Sequence, residues 1–142
     1  MDNTLPGNWK NNITFVADDG SNTDQDQNVH MRQANEAAAI IEENHPEFKV
    51  NKLFFDAYTK DRTGGNASYP DVEAALQKQL KNGLMVLNYT GHGNTTSWSD
   101  EAVMTQSYIQ QATYPYLPLW ITATCDLPVL MLWPHRPENL FS

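Results

Sequence analysis

One imidazole and one thiol follow apolar runs of this 142-residue chain, where strands of a sheet would end. His92 stands between two glycines shortly after residues 84–89, and Cys125 directly follows residues 117–124. A thiolate is a better nucleophile than a thiol, and a neighbouring imidazole can take the thiol proton or stabilise the anion. The pair could therefore attack a carbonyl carbon, with the backbone N–H groups of Gly93 and Cys125 as oxyanion donors.

Both residues also have purely structural interpretations. His92 could satisfy backbone groups in a turn, and Cys125 could be a buried thiol without chemistry. Because Cys125 is the single cysteine of the chain, no internal disulfide can form. Trp98 is interpreted either as a core residue or as part of a substrate pocket wall.

The elements that must position the pair alternate along the chain. Apolar runs predict four strands, and apolar residues at spacings of three and four predict two helices, with a shorter helix around residues 101–111. The strands are expected at residues 13–16, 50–55, 84–89 and 117–124, and the two longer helices at residues 29–44 and 68–82. This order predicts an α/β fold whose mainly parallel sheet has helices on both faces.

Parallel order would bring the imidazole and the thiol to one place. Cys125 lies 33 residues after His92, which is about one strand–helix–strand unit. Functional sites of open parallel sheets form beyond the carboxyl ends of the strands. The spacing therefore predicts that neighbouring strands deliver both side chains to the same rim.

Composition excludes several partners and leaves others open. The net charge of -8 and the pI of about 4.7 argue against nucleic acid or an anionic membrane as the main partner. No apolar run approaches the roughly 20 residues of a membrane span, and the amino terminus has no pattern of a signal peptide. The histidines lack metal-ligand spacing, and His30, His45 and His135 are interpreted as surface or capping residues.

Two motifs resemble those of a peptidase family. Residues 88–94 (NYTGHGN), followed by Trp98, and residues 120–125 (WITATC) resemble the histidine and cysteine motifs of the gingipain-like cysteine peptidases, family C25. Further segments are similar to the sortase-like peptidases of the type IX secretion system of Bacteroidetes: residues 7–20, 30–36, 53–58 and 68–72. The similarity extends from about residue 7 to residue 126.

This resemblance implies a fold and an activity. The fold would be a caspase-like α/β/α sandwich of about four strands, truncated after the cysteine strand, with residues 1–12 as a lead-in loop, 13–126 as a partial peptidase domain and 127–142 as an irregular tail. The activity would be hydrolysis of peptide bonds through a thioester, with His92 as base and Cys125 as nucleophile. The secretion-system members remove C-terminal sorting domains from exported proteins, which implies protein substrates and a location in the cell envelope or outside the cell.

The resemblance also assigns supporting residues. Asp19 falls where an acidic residue supports the histidine, although Asp18 and Asp19 could equally form a local turn. Gln27, with Asp26 beside it, falls where arginine-specific members have an acid for the substrate residue before the scissile bond (P1), and this departure argues against arginine specificity. No cofactor is expected, and a structural calcium in the acidic segment 18–26 is a weaker option.

Two other functional interpretations remain. A catalytically inactive peptidase-like fragment could act as a binding or packing module. A flavodoxin-like ligand-binding domain would need a phosphate loop, and the segment around His92 lacks the Lys-Ser/Thr partner of such loops.

Overall fold

A four-stranded parallel sheet forms the centre of the computed structural model, which describes residues 7–20, 27–114 and 116–124. In chain order the elements are β1 (Asn12–Ala17), α1 (Val29–Asn44), β2 (Lys49–Phe54), α2 (Pro70–Asn82), β3 (Val86–Thr90), β4 (Ser97–Trp98), β5 (Met104–Thr105), α3 (Gln106–Gln111) and β6 (Leu119–Ala123). Short 3-10 turns lie at Asn8–Asn11 and Phe55–Ala57.

The sheet has the spatial order β2-β1-β3-β6, with every neighbouring pair parallel. β1 is almost wholly buried, as expected of a central strand covered on both faces. The predicted parallel α/β architecture is thus confirmed. The strand that leads to His92 is the direct neighbour of the strand that leads to Cys125.

Helices cover both faces of the sheet, because each helix has one apolar stripe. On one face, α1 contributes Ala38 to a cluster with Ile13 and Phe15 of β1. On the other face, α2 and α3 contribute to a larger cluster: Val72, Leu76, Leu80 and Ile109 pack with Val16, Leu53, Leu87 and Tyr89 of the strands. The result is the three-layer sandwich that the sequence predicts.

The segment between β3 and α3 differs from the prediction of a helix from about residue 101. β4 and β5 form a two-stranded antiparallel sheet there, and α3 begins only at Gln106. Thr105 accepts a hydrogen bond from the Tyr108 backbone N–H at 3.1 Å and so caps the helix. Ser99 and Ala102 have positive φ angles of 54°, which helical residues do not adopt.

β6 lies at one edge of the sheet, and its apolar side chains are poorly covered. Leu119 is 62% exposed and Ile121 is 46% exposed, unlike the apolar residues of β1. The predicted tail, residues 127–142, lies outside the described residues. Within the described residues, no helix is long and apolar enough to cross a membrane.

Replacing Leu76 by alanine tests the main apolar cluster. Leu76 is fully buried in α2, so Leu76→Ala is expected to lower the free energy of unfolding by about 2–5 kcal/mol, through lost burial and a residual cavity. Ile40→Ala in α1 is the matched control, because Ile40 is 60% exposed and its loss should change that free energy by no more than about 0.5 kcal/mol. Urea denaturation measures both, and equal effects would contradict this assignment of the core.

Candidate active site

The segment that carries His92 starts where three strands end. The Gly91 N–H donates to the Ala123 carbonyl at 3.2 Å, and the Asp18 N–H donates to the Thr90 carbonyl at 3.1 Å. These two bonds extend the β3–β6 and β1–β3 ladders by one step. His92 is thereby held at the carboxyl rim, where sites of parallel sheets form.

His92 is held by Asp18. One carboxylate oxygen, Asp18 Oδ2, lies 3.1 Å from the His92 backbone nitrogen and 3.1 Å from His92 Nδ1. The Asp18 side chain is 3% exposed, and the His92 side chain is 36% exposed. A carboxylate that accepts from Nδ1–H leaves Nε2 as the proton acceptor on the more accessible imidazole.

The sequence points to Asp19 as the supporting acid, but the structure places Asp18 beside His92. Asp19 Oδ2 instead pairs with Lys60 Nζ at 2.9 Å. Successive residues of an extended chain point in opposite directions, so only one of two adjacent aspartates can face His92. The position of a motif in the sequence therefore does not tell which of two adjacent acids faces the histidine.

Burial raises the pKa of Asp18 from its ordinary 3.8 to about 7. The hydrogen bonds from the backbone and side chain of His92 act against burial, whereas the charges of Glu101 and Asp19 raise the pKa further. Burial thus opposes the charged form of Asp18, which is the form that accepts from His92 Nδ1–H and can stabilise an imidazolium.

Aromatic packing fixes the backbone around His92. Tyr89 Oη donates to the His92 carbonyl oxygen at 2.6 Å, and the Ser99 N–H donates to the same oxygen at 2.9 Å. The Tyr89 ring stacks on Trp98, with ring centres 4.3 Å apart and planes within 3°. Trp98 has no exposed surface, so of its two interpretations the structure favours a core residue over a residue that contacts substrate.

The loop after His92 also approaches the strand that leads to Cys125. A Cβ built on Gly93 would lie 3.3 Å from the Thr124 Cβ, so the Gly93 backbone packs closely against Thr124. Thr124 directly precedes Cys125 in the chain. The predicted meeting of the two strand ends is therefore present up to Thr124, whereas Cys125 itself lies outside the described residues.

The predicted residues for substrate recognition lie on the segment between β1 and α1. Gln27 is exposed and has a positive φ of 38°. A Cβ on Gly20 would overlap the Gln27 carbonyl oxygen, so the two ends of this segment are in contact. Asp26 lies outside the described residues, and its role stays a prediction.

His30 lies beside His92 and was not recognised from the sequence. The two rings meet edge to face, with centres 4.7 Å apart and planes at 87°. The structure thus corrects the interpretation of His30 as a surface or capping residue. One feature of the sequence could have indicated this contact. His30 lies in the first turn of the predicted helix α1, which begins near the carboxyl rim of the sheet where His92 also lies.

Three carboxylates near His92 are close enough to share a cation. Within the described residues, ligand oxygens of Asp18, Asp19 and Glu101 all lie within 4.8 Å of one another. Lys60 Nζ already bonds to two of these groups, at 2.9 Å from Asp19 and 2.7 Å from Glu101. The calcium option therefore stays an untested prediction, and any ion there would compete with this ammonium.

Comparison with known proteins gives a family and a fold for this chain. The sequence model of Peptidase family C25 matches residues 1–129. The fold is similar to that in the crystal structure of the Arg-specific cysteine proteinase gingipain R (RGPB), with 18% sequence identity and a TM-score of 0.57. This match covers 82% of the present chain and 24% of the gingipain chain. No curated protein sequence matches significantly.

The family match spans β1, the His92 segment and the strand before Cys125, which are the parts that the sequence motifs single out. The structural similarity shows that the three-layer sandwich is the caspase-like α/β fold of gingipain. On the family match, this chain belongs to peptidase family C25.

Proposed function

We propose that this chain carries the general base and the nucleophile of a cysteine endopeptidase. The observation that supports this most strongly is the double contact of Asp18 Oδ2 with the backbone and Nδ1 of His92, at 3.1 Å each. A buried carboxylate that orients an imidazole serves a base that must accept and return a proton. A histidine in a structural turn would not require it.

In the proposed reaction, His92 Nε2 takes the proton from the Cys125 thiol. The thiolate then attacks the carbonyl carbon of the scissile peptide bond, and the negative charge moves to the carbonyl oxygen. The backbone N–H groups of Gly93 and Cys125 would donate to this oxyanion. Asp18 would stabilise the imidazolium during this step.

Collapse of the tetrahedral intermediate breaks the carbon–nitrogen bond. The leaving amine takes the proton from His92, and the acyl group stays on Cys125 as a thioester. His92 then removes a proton from water, the hydroxide adds to the thioester carbon, and the carboxylic acid leaves while the thiolate is regenerated. The net reaction is hydrolysis of one peptide bond.

The substrate proposal follows from the family motifs. The substrate would be a protein, cleaved before a C-terminal sorting domain, and the parent protein would act in the cell envelope or outside the cell. The substitution of Gln27 for a P1-binding acid supports a preference other than arginine. A library of peptides varied at P1 measures this preference directly.

The peptidase proposal predicts an activated thiol. Because Cys125 is the only cysteine, iodoacetamide labelling reports on it alone. At neutral pH we expect labelling faster than that of free cysteine, and a decrease of about tenfold or more in His92→Ala, because thiolate formation loses its partner. Cleavage of a mixed peptide library should disappear in Cys125→Ala.

Labelling at the rate of free cysteine, unchanged by His92→Ala, would refute this proposal. The matched control is His45→Ala, because His45 is an exposed histidine that pairs with Glu47 away from the sheet rim. His45→Ala should label like the unmodified protein.

A second candidate is a non-catalytic binding or packing module. It is favoured by the exposed apolar side chains of β6, Leu119 and Ile121, which could pack against another polypeptide. This alternative predicts slow labelling of Cys125 and no peptide cleavage. It also predicts that Leu119→Ser reduces association while leaving labelling unchanged.

A further inference from the structure

The acidic residues next to His92 enclose one lysine. Lys60 Nζ lies 2.9 Å from Asp19 Oδ2 and 2.7 Å from Glu101 Oε1. Asp19 follows β1, Lys60 follows β2, and Glu101 follows β4. The ammonium thus joins three separate segments of the chain at the rim where His92 is held.

This ion pair is shielded from solvent. The side chains of Lys60, Asp19 and Glu101 are 19%, 17% and 9% exposed. The ammonium also lies 5.3 Å from the centre of the Tyr69 ring, which is itself almost fully buried. Charges in such a setting are weakly screened and interact more strongly than surface pairs.

The bonds of Lys60 keep it charged. Burial alone would lower its pKa, but the hydrogen bonds and charges of Asp19 and Glu101 outweigh burial and raise the pKa above its ordinary value. Asp19 also interacts with the Tyr69 hydroxyl, whose pKa is raised by burial and then by this carboxylate. Lys60 is therefore a permanent cation at working pH.

Asp18 is affected by the two acids that Lys60 binds. Within the described residues, the groups that face Asp18 are His92 and Tyr89 from the β3 side, the adjacent Asp19, and Glu101 from the segment after β4. Behind them lie Lys60, Tyr69 and Asp56, which interact with Asp19. Among the described residues that act on Asp18, Asp19 and Glu101 favour its neutral form by their charge.

We propose that Lys60 is a positioning residue of the His92 site, whose ammonium offsets Asp19 and Glu101 and so allows Asp18 to carry its negative charge beside His92. This inference rests on the proposed function for its catalytic meaning. Lys60 acts through Asp18, because its ammonium contacts Asp19, Glu101 and the Tyr69 ring. A charged Asp18 is the form that accepts the Nδ1 proton and stabilises the imidazolium.

The proposal predicts opposite shifts for two charge changes. Lys60→Met leaves Asp19 and Glu101 uncompensated, so the titration midpoint of Asp18 should rise by about one to three pH units. Glu101→Gln removes one of the opposing negative charges and retains Lys60, so the midpoint should fall. Combining both substitutions should return the midpoint close to that of the unmodified protein.

Carbon NMR of the side-chain carboxyl groups of aspartate measures these midpoints. The Asp18 signal is assigned by its absence in Asp18→Asn. The matched control is Lys52→Met, because Lys52 Nζ also forms an ion pair, at 2.8 Å from Glu42, but on the side of α1. Lys52→Met should leave the Asp18 midpoint unchanged.

An Asp18 midpoint that stays constant, or that shifts in the same direction in both variants, would overturn the proposal. A merely structural role of Lys60 cannot produce shifts of opposite sign that cancel in the double variant. If Lys60→Met does not fold, the other two variants still test the proposal. The Asp18 midpoint should fall in Glu101→Gln and should return to the value of the unmodified protein in the double variant. Should Glu101→Gln leave the midpoint in place, the proposal fails on that result alone.

The NMR measurement needs no turnover, so its outcome is separate from that of the peptidase proposal. Opposite Asp18 shifts without peptide cleavage would support the role of Lys60 and refute the enzymatic function. Peptide cleavage without Asp18 shifts would support the enzymatic function and refute the role of Lys60. If the protein is active, the rate of peptide cleavage at low pH should also depend on Asp18. The midpoint of this acid limb should move to higher pH in Lys60→Met.

Discussion

Asp18→Asn is expected to abolish most of the reactivity of Cys125 while leaving the fold intact. Asparagine has the shape of aspartate, and its amide oxygen can still accept the bond that Asp18 Oδ2 receives from the His92 backbone. A neutral amide cannot stabilise the imidazolium that forms when His92 takes a proton. We expect peptide cleavage to fall by about 10³–10⁴-fold, as for loss of the orienting acid in serine peptidases.

Labelling of Cys125 with iodoacetamide at neutral pH checks the same variant without turnover, and it should slow by about tenfold or more because less thiolate is present. Two adjacent controls sharpen the test. Asp19→Asn should have a much smaller effect, because its carboxylate faces Lys60. Asp61→Asn should have none, because Asp61 lies in another loop and its carboxylate accepts hydrogen bonds from Thr63.

A larger loss of Cys125 labelling in Asp19→Asn than in Asp18→Asn would contradict the assignment of Asp18.

The thermal stability of Asp18→Asn gives a second readout with a definite sign. The folded state raises the pKa of Asp18 from 3.8 to about 7, so the folded protein binds this proton more tightly than the unfolded chain. Stability from this group is complete below pH 3.8 and is lost as the pH rises through 7. The stability of Asp18→Asn relative to the unmodified protein should therefore increase across this window.

The architecture could be predicted from the sequence because short runs rich in apolar residues alternate with segments of helical periodicity. Residues 13–16 and 84–89 are two such runs, and β1 and β3 are indeed the two central strands: β1 is almost wholly buried, and β3 alternates between buried and partly buried residues. Alternation with helices then leaves few topologies other than a parallel sheet. The neighbouring positions of β3 and β6 follow from the same reasoning.

The details of the site were less predictable, because they depend on side-chain direction and on contacts between distant segments. Whether Asp18 or Asp19 faces His92 depends on where β1 ends in relation to its neighbour β3. Lys60 and Glu101 belong to loops without a regular period, so no pattern indicates that they meet. β4 and β5 have two residues each, too short for a strand signal.

The glycine before His92 illustrates the same limit. From sequence, the glycines flanking His92 are explained by close approach of the backbone to substrate. In the structure, Gly91 is enclosed by the protein: a Cβ there would lie 2.3 Å from the Asp18 Cβ and 2.6 Å from Tyr89 Oη. The requirement for glycine at this position therefore comes from the residue that supports His92.

Gly91→Ala should consequently damage both the fold and the site. Atoms at such distances must move apart, yet Asp18 and Tyr89 are both buried, with little space to receive them. We expect the free energy of unfolding to fall by about 1–3 kcal/mol, as for other overpacked interiors. Displacement of Asp18 should also break its 3.1 Å contacts with His92 and slow the labelling of Cys125 to the rate of Asp18→Asn.

Urea denaturation and iodoacetamide labelling measure these two effects, and other glycines provide a graded control. Gly64→Ala should change neither quantity, because a Cβ at Gly64 meets no atom within 4 Å. Gly93→Ala should have an intermediate effect on stability, because its nearest contact is Thr124 at 3.3 Å. Stability of Gly91→Ala equal to that of Gly64→Ala would show that Asp18 is not packed against the His92 segment. The packing of Asp18 against this segment holds the His92 imidazole at the rim. Without that packing, Asp18 could not be the residue that supports His92.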